Sequence, residues 1–289
     1  MARQPPSSAL SLLNMNKGSS SSDLGLLLNN HDDKAGVVVE CDALRLRMGL
    51  TEIFGPAGSG KTQLGLGLCV STSMTKSRSA VYLSLGNNLS SLLISKRLRQ
   101  MVDARASSNP SELLTILKRI LVLIVRNEDE LLDLVSNKLP LMTTRNQVGV
   151  VVLDSIAAMF RTKERILNVD FVSKRSAMLF LLAAKFKTLS MRCSVPIAII
   201  NEVSCRSNGE VVPALGLAWA NCVNHSIELS RTEGGSRRLS ILRSPCQRIH
   251  EFYFQIEEQG AILASTRQPA TKRLGHETTS GDEDQISCC

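Results

Sequence analysis

Residues 36–264 read as an α/β domain, a mainly parallel sheet flanked by helices, with antiparallel strands toward its C-terminal end. Three observations predict it. Short apolar runs alternate with helical candidates from 36 to 220, the pattern of a parallel sheet covered on both faces. GPAGSGKT (55–62) links one apolar run to the next helical stretch through a glycine-rich turn. After residue 222 the pattern changes to VNHSIELSR, RRLSILRS and EFYFQIEEQGAIL, separated by TEGG and SPCQ. These read as antiparallel strands joined by turns and added to one sheet edge.

Taken in order, residues 1–35 are rich in Ser, Asn, Gly and Pro, contain an SSSS run, and read as a disordered N-terminal tail. LTEIFG (50–55) is short and apolar, as a buried strand should be. It runs into a loop in which Gly55, Gly60, Lys61 and Thr62 fill the pattern G-x-x-x-x-G-K-[ST]. The loop Gly55, Pro56, Ala57, Gly58, Ser59, Gly60 is small enough for backbone N–H groups to turn inward around phosphate oxygens. Lys61 then reaches the β and γ phosphates as a point charge, and Thr62 ligates Mg²⁺ through its hydroxyl. The helix that follows, over 61–75, directs the positive end of its dipole at the anion. The loop is therefore a candidate site for a nucleoside triphosphate with Mg²⁺.

Further strands are expected at AVYLSL (80–85), ILVLIV (120–125), GVVVLDS (149–155) and PIAII (196–200), with helices over 90–103, 111–118, 128–138 and 171–190. Asp154 ends the third of these runs. In a protein with such a loop it sits beside Mg²⁺, usually through water; otherwise it caps the next turn. RTKERILNVDFVSKRS follows, with Arg161, Lys163, Arg165, Lys174 and Arg175 in one short segment. It reads equally as a DNA-contacting loop or as a solvated charged face. Residues 265–289 are polar, end acidic, and read as a flexible C-terminal tail.

The chain has 289 residues with 43% hydrophobic content, enough for one large domain with a real core. Its net charge of +8 points to a polyanionic partner, and only 3% aromatic residues make phosphate contact a better expectation than base stacking. Neither a membrane-spanning run nor a signal-peptide core is legible, so an intracellular protein with no membrane partner is expected. The eight cysteines show no C-x-x-C pair and no zinc spacing, and read as reduced, mostly buried thiols. The terminal Cys288-Cys289 pair is an alternative prenylation site, although the preceding GDEDQIS is acidic rather than polybasic.

Together these residues resemble the RecA-type recombinases, in particular the eukaryotic recombinase paralogues. LTEIFGPAGSGKTQL resembles that family's phosphate-loop segment, VVVLDSIAAMFR its aspartate strand, and IAIINEVS the strand that usually ends in Asn-Gln-Val. RSPCQ resembles its turn before the last strands, and VPALGLAWANCVN is the most specific stretch. The likeness runs from about residue 36 to 264. It implies a RecA-like P-loop ATPase core that binds ATP and Mg²⁺ and works in homologous recombination and double-strand-break repair. It also implies assembly with another recombinase paralogue, contact with single-stranded or branched DNA, and a nuclear location, with the cytoplasm as an alternative. Arg161 to Arg175 would correspond to the family's first DNA-binding loop. Val203 to Val212 would be a shortened second loop, with Arg206 available for DNA.

The sequence departs from the family in three places. Gly86 stands where a glutamate usually polarises the attacking water, and no Asp or Glu occurs from 53 to 102. Glu202 stands where the family has a glutamine that senses the γ-phosphate. It could serve as the base, repel the triphosphate, or point away and cap a turn. The F-x-x-A linker pattern occurs only as Phe54-Gly-Pro-Ala57, inside the phosphate loop, so long self-filaments by that route are not expected. The expectation is an ATP–Mg²⁺ binder with weak hydrolysis, in which Lys61 and Glu202 are the catalytic candidates. The alternatives are a nucleotide-independent interaction scaffold and an active DNA-dependent ATPase using Glu202.

Overall fold

The apolar runs form strands at the expected places: β3 (Leu50–Phe54), β4 (Ser79–Leu85), β5 (Ile120–Val125), β6 (Val148–Asp154) and β7 (Ile197–Ile200). The structure, a computed structural model, describes residues 39–264 apart from 42–43, 76–77, 87–89, 107–108, 161–168, 206–209 and 247–248. The segments read as tails, 1–35 and 265–289, lie outside the described residues. Two short hairpins went unread in the sequence: β1 (Val39–Cys41) with β2 (Leu44–Leu46), and β8 (Val203–Cys205) with β9 (Val211–Pro213). Strands this short carry too few residues for alternation to show.

The C-terminal run contains β10 (His225–Arg231), β11 (Arg237–Arg243), β12 (Glu251–Glu257) and β13 (Gly260–Leu263). These join the others in a nine-stranded sheet of order β13-β12-β11-β10-β3-β7-β6-β4-β5. One correction to the sequence reading follows. EFYFQIEEQGAIL is two strands with a turn at Glu258 and Gln259, because Gly260 has φ +118°. As expected, β10 to β13 are antiparallel to one another and extend one edge, which β10 joins by pairing with β3 in parallel.

The helices are α1 (Lys61–Met74), α2 (Ser91–Arg105), α3 (Pro110–Lys118), α4 (Glu128–Asp133), α5 (Leu139–Asn146), α6 (Ile156–Phe160), α7 (Val169–Cys193) and α8 (Gly216–Ala220). Their starts are chemically marked. Asn109 accepts from Ser111 N–H ahead of Pro110, and Asn127 accepts from Glu130 N–H at 2.8 Å. α5 was missed because Pro140 reads as a breaker. It sits instead in the first turn, after a π-helical stretch Leu134–Lys138 that continues α4.

Alternate residues of each central strand feed two cores. Tyr82, Val152, Ala198 and Ile200 pack with Leu64, Leu68, Ile94 and Met101 of α1 and α2. Val81, Leu83, Val151, Leu153 and Ile199 pack with Leu179, Leu182, Phe186 and Leu189 of α7 and with Trp219. Every residue of β6 is buried, which explains why the strand reads as an unbroken apolar run.

α1 lies close enough to the sheet that a Cβ on Gly65 would stand 2.9 Å from Ile200 Cδ1 and 3.0 Å from Val152 Cγ1. Gly65→Val is expected to lower stability by about 1–3 kcal/mol. The check is a lower urea midpoint at unchanged slope. Because α1 carries Lys61 and Thr62 in its first turn, this packing also fixes where the phosphate loop sits.

Candidate nucleotide site

The site lies at the C-terminal ends of β3, β6, β7 and β4, beside the point where the chain leaves β3 and returns on the far side of β7 and β6. Crevices of this kind are where open α/β sheets bind ligands. The loop from Gly55 to Gly60 joins β3 to α1. Gly58 and Gly60 have φ of +74° and +104°, values that glycine adopts without strain. α1 has no side-chain N-cap bond and no acid in its first turn, so its first N–H groups are left for a ligand. Ser59 is fully buried and its Oγ makes no hydrogen bond. An unpartnered hydroxyl in a glycine-built cradle fits an anion seated there.

Lys61 Nζ donates to the carbonyls of Gly55 at 2.6 Å and Pro56 at 2.9 Å. Burial lowers its pKa, and the nearby Asp154 carboxylate opposes that. Thr62 Oγ1 donates to Asp154 Oδ2 at 2.6 Å, which brings a hydroxyl and a carboxylate from residues ninety-two apart to one point. These are the hard oxygen donors that Mg²⁺ takes. Tyr82 OH donates to the same Oδ2, also at 2.6 Å. Burial, and then the charge of Asp154, keep that phenol protonated far above the ordinary tyrosine range.

Tyr82 was missed in the sequence. Its signal was a hydroxyl within an apolar strand, but only the register of β4 on β6, with Ser84 opposite Asp154, shows that it reaches this carboxylate. Arg97, Arg231 and Arg237 were missed as well. With Gly58, Lys61 and Thr62 they line an open cavity of about 740 Å³ over the loop.

Gly86 directly follows β4 with φ +70°, and among the described residues a Cβ there would meet only Ala158 Cβ, at 3.8 Å. There is room for a side chain but no carboxylate. Asn87 and Asn88 lie outside the described residues. At the end of β7, Glu202 Oε1 accepts from Ser155 Oγ at 3.2 Å, so its carboxylate is turned toward the strand end that holds Asp154.

Asn201, fully buried, holds that corner. Its Nδ2 donates to Glu52 Oε1 at 2.7 Å and to the Ala214 carbonyl at 2.8 Å, and its Oδ1 accepts from Glu202 N–H at 2.8 Å. Glu52 is itself buried in β3, and desolvation raises its pKa against the hydrogen bonds that favour its charge. A raised folded-state pKa gives a stabilising contribution that is complete below the ordinary value of 4.5 and is lost as pH rises through the shifted one. Glu52→Gln is therefore expected to flatten the decline of unfolding free energy on the alkaline side of that value. Urea titrations across pH check it.

Lys174 is exposed and Arg175 half-buried, and both sit on α7 rather than in a loop. α7 packs on the sheet face opposite α1, so the structure does not bring this pair into the cavity over the phosphate loop. Arg161, Lys163, Arg165 and Arg206 lie outside the described residues. Of the described cysteines, Cys69 and Cys222 are buried, whereas Cys205 and Cys246 are exposed, so burial is less general than expected. No helix among the described residues is long and apolar enough to cross a membrane.

Comparison with known proteins agrees with this architecture. The pattern of the Rad51 family matches residues 45–264. The chain is 31% identical over 230 residues to the DNA repair protein XRCC3 homolog of Arabidopsis thaliana, covering 68% of this chain and 71% of that one. It is 28% identical over 229 residues to the DNA repair protein XRCC3 of Mus musculus, covering 71% of this chain and 64% of that one. The crystal structure of the RadB recombinase superposes with a TM-score of 0.59 at 22% identity, covering 76% of this chain and 92% of that one, a likeness of fold.

Proposed function

Because the chain belongs to the Rad51 family, we propose that it is an accessory protein of recombinational DNA repair that binds ATP–Mg²⁺ and hydrolyses it slowly. In this reading ATP is a structural ligand that stabilises a complex with another recombinase paralogue and tunes contact with single-stranded or branched DNA, in the nucleus. The XRCC3-type relatives are named as DNA repair proteins, which supports the repair role.

The observation that carries the nucleotide reading is the convergence of Thr62 and Tyr82 on Asp154 beside a phosphate loop with an unpartnered buried Ser59. When bound, Mg²⁺ would supply neutralisation of the phosphate charge. Thr62 and Asp154 would hold it, the latter through water, and Tyr82 would fix the carboxylate's orientation. Lys61 would exchange its two loop carbonyls for phosphate oxygens. Gly86 offers no group to accept a proton from an attacking water, which supports slow turnover. One observation favours a second reading. The Ser155–Glu202 hydrogen bond sets a carboxylate beside the Asp154 strand end, where it could act as the base of an active ATPase.

The DNA half of the proposal is tested on Lys174 and Arg175. Reversing both charges is expected to weaken single-stranded DNA binding in the presence of ATP. It should also reduce the salt slope by about 1.4, at roughly 0.7 per phosphate contact on single strands. Fluorescence anisotropy over a salt series reads this, and an unchanged affinity and slope would remove α7 from the DNA surface.

A further inference from the structure

We propose that Arg231 and Arg237 form an anion clamp, supplied by the chain's own β10–β11 hairpin, that grips the phosphates of a nucleotide seated on the loop from Gly55 to Thr62. The proposal rests on the nucleotide reading above and adds a second set of phosphate ligands to it.

The hairpin register places Arg231 directly opposite Arg237, so two guanidinium side chains share one face of an antiparallel pair. Like charges in that relation repel, and a sheet gains nothing by keeping them unless something negative lies between or beside them. Glu257 and Glu258 line the same cavity, but neither is paired with these two groups. Among the described residues neither guanidinium has an acidic partner. The next residue, Arg238, pairs with Glu251 at 3.3 Å. That contrast separates a strand position with a structural ion pair from one without.

Both side chains lie against the phosphate loop. Arg231 Nε donates to the Gly58 carbonyl at 2.9 Å, and a Cβ added to Gly58 would run into its guanidinium. Arg237 passes Gly60 so closely that a Cβ there would stand 3.1 Å from its Cδ and 3.4 Å from its Nε. That Nε is buried and makes no hydrogen bond. Burial, and then the neighbouring Arg231, disfavour the charged form of Arg237. Gly58 and Gly60 belong to the stretch whose N–H groups would cradle phosphate. Guanidinium groups beside them would meet phosphate oxygens rather than the base, in the fork geometry that suits arginine.

The clamp differs from a merely structural role in the sign of two effects. Removing the Arg237 charge relieves repulsion within the hairpin and breaks no Nε hydrogen bond, so the stability of Arg237→Gln without nucleotide is expected to hold or rise, whereas Arg231→Gln also gives up the bond to the Gly58 carbonyl. Affinity for phosphates is expected to fall. The experiment compares the unaltered chain with Arg231→Gln, Arg237→Gln and Arg237→Lys. Thermal midpoints and displacement of a fluorescent ATP analogue are measured with ATP–Mg²⁺, with inorganic tripolyphosphate and with adenosine.

Each glutamine variant should weaken ATP and tripolyphosphate about tenfold, and Arg237→Gln should leave the midpoint without nucleotide unlowered. Arg237→Lys should recover part of the loss. Glutamine variants that bind ATP as tightly as the unaltered chain overturn the clamp and leave the nucleotide reading intact. So does a loss of affinity matched by a lowered midpoint and seen equally with adenosine. If the unaltered chain binds neither ATP–Mg²⁺ nor tripolyphosphate, the nucleotide reading fails and the clamp fails with it.

Discussion

Single-turnover hydrolysis of ATP is expected to be about a hundredfold faster in Gly86→Glu than in the unaltered chain. A positioned carboxylate contributes about 10²–10⁴ to such proton transfers. Among the described residues the end of β4 lacks one although it has the space, since the nearest contact of a new Cβ there is Ala158 at 3.8 Å. The gain should come at a cost in stability. Gly86 has φ +70°, and an L-residue there costs about 1–2 kcal/mol. The expected signature is thus faster turnover in a less stable protein, measured by rapid-quench product release and by urea unfolding of the same preparation. Glu202→Gln is the companion measurement. If the unaltered chain already turns over briskly and Glu202→Gln stops it, the base is Glu202 and Gly86 is only a gap in the family pattern.

Lys61→Ala should lower ATP affinity by roughly 10–150-fold, the equivalent of about 1.5–3 kcal/mol for a lost hydrogen bond to a charged group. Its two loop-carbonyl bonds vanish at the same time, so part of the effect will be a looser loop. Titration of ATP against Thr62→Ala separates the two contributions. That variant also weakens Mg²⁺-dependent binding but leaves the lysine bonds in place. Equal affinity in Lys61→Ala and the unaltered chain would mean that this loop is not where a triphosphate sits.

What could be read from the sequence is what depends on neighbours along the chain. The loop from Gly55 to Thr62 is legible because its spacing encodes its shape. Asp154 is legible because it closes a run of buried valines. β6 and β7 are legible because burial on both faces leaves them almost wholly apolar. Tyr82, Arg231 and Arg237 were not legible, because each acquires its role from strand register, and register brings together residues that nothing in the local sequence relates. The hairpin β8–β9 escaped for a similar reason. The parallel entry of β10 beside β3 depends on the path taken through β8, β9 and α8, and no periodicity within β10 announces it.

Asn201 has a consequence for how this fold tolerates change. Its side chain bonds Ala214, and the Ala214 N–H returns to the Glu202 carbonyl at 2.8 Å. The excursion between these residues is therefore knotted at its neck, much as a drawstring closes a bag. Changes in the bag's length or content need not tug on the sheet. Insertions and deletions between Cys205 and Val211 can accumulate there at little thermodynamic expense. The same latitude is denied to Asn201, because loosening that one amide would open the drawstring and take from the buried Glu52 its 2.7 Å hydrogen bond, leaving the longer one from Ser226.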